Sequence, residues 1–212
     1  MAYKDISLKE FTDRTFDKDP APGGGGVCSL SGALGAALSG MVANFTTGKK
    51  KYAQYENDIQ NILKKAKQLQ NRFLELIDED EENFIPLSKA YSLKAQTEKE
   101  KKFKEEEISK CSITATKAPM EVIDIAYDAL LLHEELIQKG SALLISDVGV
   151  GTECLRCALK SGYLNMMINM GTVKDKKFIE ENLNKYKTKV HKGIKLCDKI
   201  YDRVLKQLNI EE

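Results

Sequence analysis

The chain has no tryptophan, four prolines and only two histidines, His133 and His191. So few imidazoles argue against a His-based catalytic centre, leaving each available only as a lone acid or base. His133-Glu134-Glu135 lacks a second His four residues on, so it is not a zincin motif. The start, Met1-Ala2-Tyr3-Lys4-Asp5-Ile6, lacks the apolar core of a signal peptide, and a cytoplasmic location is expected. No continuous apolar run of about 20 residues marks a membrane span. Net charge is +1, and no basic stripe interleaved with aromatics occurs, so neither nucleic acid nor membrane is expected as a partner. The five cysteines, at 28, 111, 154, 157 and 197, are too scattered and odd in number for a disulfide framework. Cys154-Leu155-Arg156-Cys157 has no second pair for zinc and no strand context for redox chemistry. Gly23–Gly26 lacks the Lys-Ser/Thr ending of a P-loop, and Gly149-Val150-Gly151 lacks the third glycine of a dinucleotide loop. No metal site is expected.

What is present is helical. Lys, Glu, Leu, Ile and Ala abound, no strand alternation stands out, and 212 residues suffice for one domain, taken as 1–212, with a sizeable core. The expected fold is all-α: long antiparallel helices, kinked at Pro86 and Pro119. Ser7 suits the N-cap of a short helix carrying Leu8, Phe11 and Phe16, ended by the turn Asp17–Pro22. An uncharged stretch, Pro20–Gly48, opens with Ala21-Pro22 and four glycines. It continues as a helix in which Val27, Leu30, Leu34, Leu38, Met41 and Phe45 recur at helical steps. Ser31, Gly35 and Ser39 form one small-residue row; Gly32, Ala36 and Gly40 form another. These rows allow close helix packing, so burial on several sides is expected, with a membrane span as the rival reading. That helix should end near Thr47-Gly48. A long amphipathic helix follows, Tyr52–Leu93. The charged stretch Thr97–Glu107 reads as a loop leading into a helix that runs past Pro119 to Gly140. A helix from Ser141 to Met170, with a possible break at Gly149 and Gly151, and a last one, Lys176–Leu208, complete the pattern.

Helical phase separates the carboxylates of Asp78-Glu79-Asp80-Glu81-Glu82. Asp80 falls within the apolar sector, three residues after Ile77 and four before Phe84, while its neighbours fall outside it. A carboxyl on an apolar face acquires a raised pKa and can act as a general acid near neutrality. The plainer reading is a buried Asp paired with Lys or backbone amides. Asp147, Gly151, Ala158, Asn165 and Asn169 share one helix side. Two Asn four residues apart can read a ligand with donors and acceptors, or merely join helices. Lys49-Lys50-Lys51 is either a solvated cationic helix end or an anion clamp.

In this order the pieces resemble the cyclodeaminase/cyclohydrolase family of folate enzymes. The resemblance rests on Ala21-Pro22-Gly23-Gly24-Gly25, Thr47-Gly48-Lys49-Lys50, Leu76-Ile77-Asp78-Glu79-Asp80 with Phe84, and Ala118-Pro119. Ser146-Asp147-Val148-Gly149-Val150 and Asn165-Met166-Met167-Ile168-Asn169 complete it. It implies a homodimer acting on the one-carbon bridge of tetrahydrofolate without a further cofactor. Formimidoyltetrahydrofolate cyclodeaminase is the first expectation and methenyltetrahydrofolate cyclohydrolase the alternative. A non-catalytic helical dimerisation module is the alternative of another class. The resemblance implies Asp80 as the catalytic acid, with Asp78 as fallback. Pro22, Gly23, Gly24 and Gly25 would approach the pterin or the one-carbon unit, and Lys49 and Lys50 the glutamate tail. Asp147, Asn165 and Asn169 would bind or orient the folate, and a separate formiminotransferase is a further implied partner. The sequence departs from the family pattern at Gly26, where Ser is usual, at Ser141, and at Ser92-Leu93-Lys94-Ala95, which lacks the usual Pro and the Lys before it.

Overall fold

A computed structural model describes residues 2–18 and 21–210, and every regular element among them is helical. The helices are α1 (Leu8–Phe16), α2 (Gly24–Asn44), α3 (Glu56–Tyr91), α4 (Glu98–Ala115), α5 (Lys117–Lys139), α6 (Ile145–Met170) and α7 (Lys176–Leu208). Their starts follow from local chemistry. The Ser7 side chain accepts from the Glu10 amide, Asp175 accepts from the Phe178 amide, and Thr97 and Glu100 form a capping box. Each such cap stabilises its helix by about 1 kcal/mol.

The bundle is built around α2. The positions where its glycines admit neighbouring side chains define the packing. Gly25 faces Asp80, Gly32 faces Phe73 and Gly40 faces Ala66, so α3 runs antiparallel to α2. Gly24 faces Asn165 and Gly35 faces Leu155, so α6 is antiparallel to it as well. At Gly32 an added Cβ would stand 2.3 Å from the Phe73 ring. The missing side chain is what lets that fully buried ring lie against the α2 backbone. The two small-residue rows thus face the core as expected. The larger apolar residues do the reverse. Val27, Leu34, Met41 and Phe45 form an exposed stripe, half-open to solvent, along the length of α2. By length and composition α2 would pass for a membrane span, yet over half of its most apolar window is packed inside the bundle.

Several boundaries differ from expectation. The helix α2 stops at Asn44, and Gly48 supplies the left-handed residue of the turn after it, at φ +71°. Residues 50–55 form 3₁₀ turns before α3. As expected, α3 runs on through Pro86. The stretch after Thr97 is helical from Glu98 onward. What the pattern suggested as one helix past Pro119 is two, α4 and α5, meeting at Thr116. Proline has no N–H and crowds the carbonyl four residues earlier, so the ladder breaks there. Gly149 and Gly151 do not break α6. Gly151 instead makes room for His133, whose Cε1 lies 2.3 Å from where a Cβ would be. Asp19 and Pro20, within the expected turn before the glycines, lie outside the described residues.

Candidate active site

Gly24, Gly25 and Gly26 are not a loop. They form the first turn of α2, with Gly23 as an N-cap that offers no side-chain hydrogen bond. The first turn of any helix leaves backbone N–H groups without intrahelical partners, and its end carries partial positive charge. Against this turn lies one face of α3, where Ile77, Asp80, Glu81 and Phe84 recur at helical spacing. Asn165, Ile168 and Asn169 of α6 form a third wall. Together with Ala21, Pro22 and Gly23 they enclose a cleft of about 160 Å³. The Ala21–Pro22 peptide is cis.

Asp80 is the centre of this arrangement. A Cβ on Gly25 would stand 2.0 Å from one Asp80 carboxylate oxygen and 2.2 Å from the other. The glycine therefore admits the carboxyl against the α2 backbone; any side chain there would displace it. Among the described residues Asp80 has no hydrogen-bond or ion-pair partner, so the plainer reading of a paired, buried Asp is not what the structure shows. Burial pushes its carboxyl up to about 6 from the usual value near 3.8. Cys28, one turn into α2, lies beneath the same turn. Its buried thiol, pushed up to about 12 chiefly by desolvation, donates to the Gly25 carbonyl at 3.1 Å.

Of the other carboxylates of the cluster, Asp78 and Glu79 stay out of the cleft as expected, and Glu81 does not. Asp78 is mostly covered: it accepts from the Tyr3 amide at 2.6 Å and lies 3.9 Å from Lys4. It ties the N-terminal segment to α3 and does not line the cleft. Glu79 is held by Arg72, which also grips Glu121 of α5. Glu81, expected to point outward, is a cleft residue, with the Tyr3 hydroxyl within 3.2 Å of it. The signal for Glu81 was present in the sequence: it lies four residues after Ile77 and three before Phe84, the spacing of one helix face.

Of the residues singled out in the sequence, Pro22, Gly23, Gly24, Gly25, Asp80, Asn165 and Asn169 meet in this cleft. Asp147, Lys49 and Lys50 do not. Asp147 is in the first turn of α6, about 27 Å from Asn165 at 1.5 Å per residue. Sharing a helix side does not mean sharing a height along it. Lys49 and Lys50 follow the opposite end of the 21-residue α2, roughly 30 Å from the cleft. Both are exposed, with the Lys49 ammonium 6.0 Å from the Phe45 ring centre. Among the described residues no group of three His, Cys, Asp or Glu side chains is placed to hold a metal ion.

Comparison with known proteins points the same way as the cleft. Residues 7–188 match the family model described as formiminotransferase-cyclodeaminase. Methenyltetrahydrofolate cyclohydrolase of Methylorubrum extorquens is 34% identical over 203 residues, which span 96% of this chain and 98% of that protein. Formimidoyltransferase-cyclodeaminase of Gallus gallus is 27% identical over 82% of this chain, but the match spans only 32% of that longer protein. The crystal structure of formiminotetrahydrofolate cyclodeaminase from Thermotoga maritima superposes with a TM-score of 0.81 at 29% identity, covering 97% of both chains. These relatives are enzymes of one-carbon folate chemistry, and the chain belongs with them to the formiminotransferase-cyclodeaminase family.

Proposed function

We propose that this protein acts on the one-carbon bridge between N5 and N10 of tetrahydrofolate, and that its substrate is the 5,10-methenyl form, hydrolysed to 10-formyltetrahydrofolate. This reverses the order of the two activities that the sequence resemblance suggested. Support for the reversal is that the relative at 34% identity, matched over nearly its whole length, is a cyclohydrolase. The observation that carries the chemistry is the unpartnered Asp80 carboxyl, set against the bare first turn of α2, with its pKa raised to about 6.

The reaction needs a group that both takes and gives a proton. Water adds to the methenyl carbon, and ionised Asp80 accepts the proton it loses. The resulting tetrahedral carbon carries a hydroxyl and two nitrogens. The bond from that carbon to N5 breaks as Asp80 returns its proton to N5, because an amine leaves poorly unless protonated. The hydroxyl loses its proton to solvent as the formyl C=O forms on N10, so one proton is released overall. A carboxyl titrating near 6 switches between its two forms at little cost near neutral pH. The free amides of Gly24, Gly25 and Gly26 can donate to the hydroxyl oxygen of the tetrahedral intermediate and ease the loss of its proton. No group beyond the folate itself is required.

The structural likeness to a cyclodeaminase supports a second reading with the same residues. There N10 attacks the formimidoyl carbon on N5, and Asp80 protonates the departing ammonia; the formimidoyl group would be delivered by a separate formiminotransferase. Side-by-side assays decide: decay of the methenyl absorbance against its appearance from 5-formimidoyltetrahydrofolate, each with Asp80→Asn as control. Turnover of neither substrate above background sinks both readings and leaves a non-catalytic helical module. We also propose a homodimer. Its support is the exposed apolar stripe of α2 beside that of α6, where Val150, Leu164 and Ile168 are open to solvent. Sedimentation of the wild-type protein and of a Leu34→Glu variant tests it; a monomeric wild type overturns it.

A further inference from the structure

The cleft presents two amide side chains opposite Asp80, Asn165 and Asn169 of α6. A primary amide has a donor end and an acceptor end, and which end faces a ligand decides what it reads. In both residues one N–H of the donor end is engaged within the protein. For Asn169 the reason begins in another helix. A continuous helix would give the Ala115 carbonyl an N–H from residue 119, but that residue is Pro119 and has none. Ala115 is buried, and the Asn169 Nδ2 donates to its carbonyl at 2.9 Å. That bond uses one of the two Nδ2 hydrogens and orients the amide, turning Oδ1 away from Ala115. For Asn165 the partner is the Cys28 thiol. That thiol gives its own hydrogen to the Gly25 carbonyl, so its sulfur is left to accept, and the Asn165 Nδ2 lies 3.8 Å from it. The Asn165 Oδ1 stays toward Gly24, 3.2 Å from where a Cβ on that glycine would be.

We propose that Asn165 and Asn169 are specificity-determining residues that act as a fixed pair of acceptors, one helical turn apart, for the 2-amino and N3–H donors of the pteridine. Pro119, through the Ala115 carbonyl, and Cys28 are positioning residues that lock the two amides in this orientation. The assignment rests on the folate reading, in which Asp80 and the first turn of α2 take the N5–N10 end of the ligand. The pyrimidine side of the ring, with its two adjacent N–H donors, then falls to α6. A ring carrying acceptors there would meet two oxygens that cannot turn away.

The test is a discrimination ratio: the Kd of 2-desamino-tetrahydrofolate divided by that of tetrahydrofolate, from equilibrium titration. The wild-type protein should favour tetrahydrofolate by about 30-fold or more, the size of one or two lost hydrogen bonds to a buried polar site. The double variant Asn165→Ala/Asn169→Ala should lower the ratio by at least about fivefold, as should the single variant at the residue that accepts from the 2-amino group, while the other single variant weakens both ligands together. Pro119→Ala restores a backbone donor to Ala115 and frees the Asn169 amide to turn. It should lower the ratio by about threefold while leaving helix content intact. Cys28→Ala should lower the ratio, and Cys28→Ser, which can still donate and accept, should keep it. Ratios unchanged in both Asn variants, with tetrahydrofolate still bound, overturn this assignment alone. Failure of the wild-type protein to bind tetrahydrofolate overturns it together with the folate reading. Should Asn169→Ala not fold, Asn165→Ala and the Cys28 pair separate the same two outcomes.

Discussion

Asp80, largely covered, and His133, fully buried, both lie against glycines in this bundle, and they have opposite fates. At one end of α2, Asp80 lies against Gly25, has no partner among the described residues, and borders a cleft. Near the middle of α2, the His133 ring lies against Gly151. It is fully enclosed, with Nδ1 3.1 Å from the Val148 carbonyl and Nε2 3.1 Å from the Gly35 carbonyl. Burial shifts both groups toward their neutral forms, Asp80 up to about 6 and His133 down to about 4. Burial and a shifted pKa therefore do not distinguish a site from a structural joint. The difference is whether the polar atoms can reach a ligand. His133 lies between three helices, each ring nitrogen facing a backbone carbonyl to one of which the neutral ring donates, and it is fully enclosed. Asp80 links nothing and has its whole carboxyl to offer.

The sharpest way to break this comparison is to remove each acid–base group. Asp80→Asn should lower turnover by roughly 10²- to 10⁴-fold, the usual worth of a positioned acid or base, measured on both folate substrates. Its fold should not suffer. The folded pKa of Asp80 lies above its unfolded value, so ionising it costs stability as pH rises from about 4 to 6. At pH 7.5 the Asn variant should be more stable, by up to about 3 kcal/mol in denaturant titration. An unchanged rate in Asp80→Asn would make this carboxyl as structural as His133.

Next in size are the two glycines. Gly25→Ala forces the carboxyl off the α2 backbone and should cost about 100-fold in kcat/KM, with a native circular dichroism spectrum. Gly151→Ala drives a Cβ into the His133 ring and should destabilise the protein by about 1–3 kcal/mol, with activity per folded molecule retained. If the two variants exchanged phenotypes, the distinction between site and joint would fail.

A smaller effect lies in the acid range. The folded pKa of His133 is below its unfolded value near 6.5, so its contribution is lost as pH falls from 6.5 to 4. Asp80 acts in the opposite sense over nearly the same window. Removing Asp80 should therefore steepen acid destabilisation, which pH-dependent melting would reveal. Smallest of all, Lys49→Ala should change kcat/KM on the monoglutamate substrate by less than about threefold, since it lies roughly 30 Å from the cleft.

Much of this was legible in the chain and some was not, for identifiable reasons. Asp80 could be found because one periodicity, 3.6 residues, decides which of five adjacent acids shares a face with Ile77 and Phe84. Glu81 obeys the same phase, but its place at the edge of the sector concealed it. Asp147 was joined to Asn165 and Asn169 by angle alone, because phase carries no information about distance along an axis. The break at Thr116 was not visible either: Pro119 marks trouble in the ladder but does not say on which side the helix divides. The family resemblance implies glycines that approach a ligand. Their partners are chiefly side chains of this chain, from residues 50 or more positions away, which no local pattern discloses.

The close packing of α2 on α3 has a consequence for how this sequence can drift. Phe73 and Asp80 project from one rigid rod, two turns apart, into two gaps in the same neighbouring rod. A methyl group added at Gly32, remote from any ligand, would lever that rod outward and withdraw the carboxyl from its seat, letting water reach it and lowering its pKa toward that of an ordinary aspartate. Substitutions that enlarge α2 should therefore be filtered first through catalysis and only later through folding. The acidity of the site is a property of the spacing between two helix axes, maintained by residues that never touch the substrate.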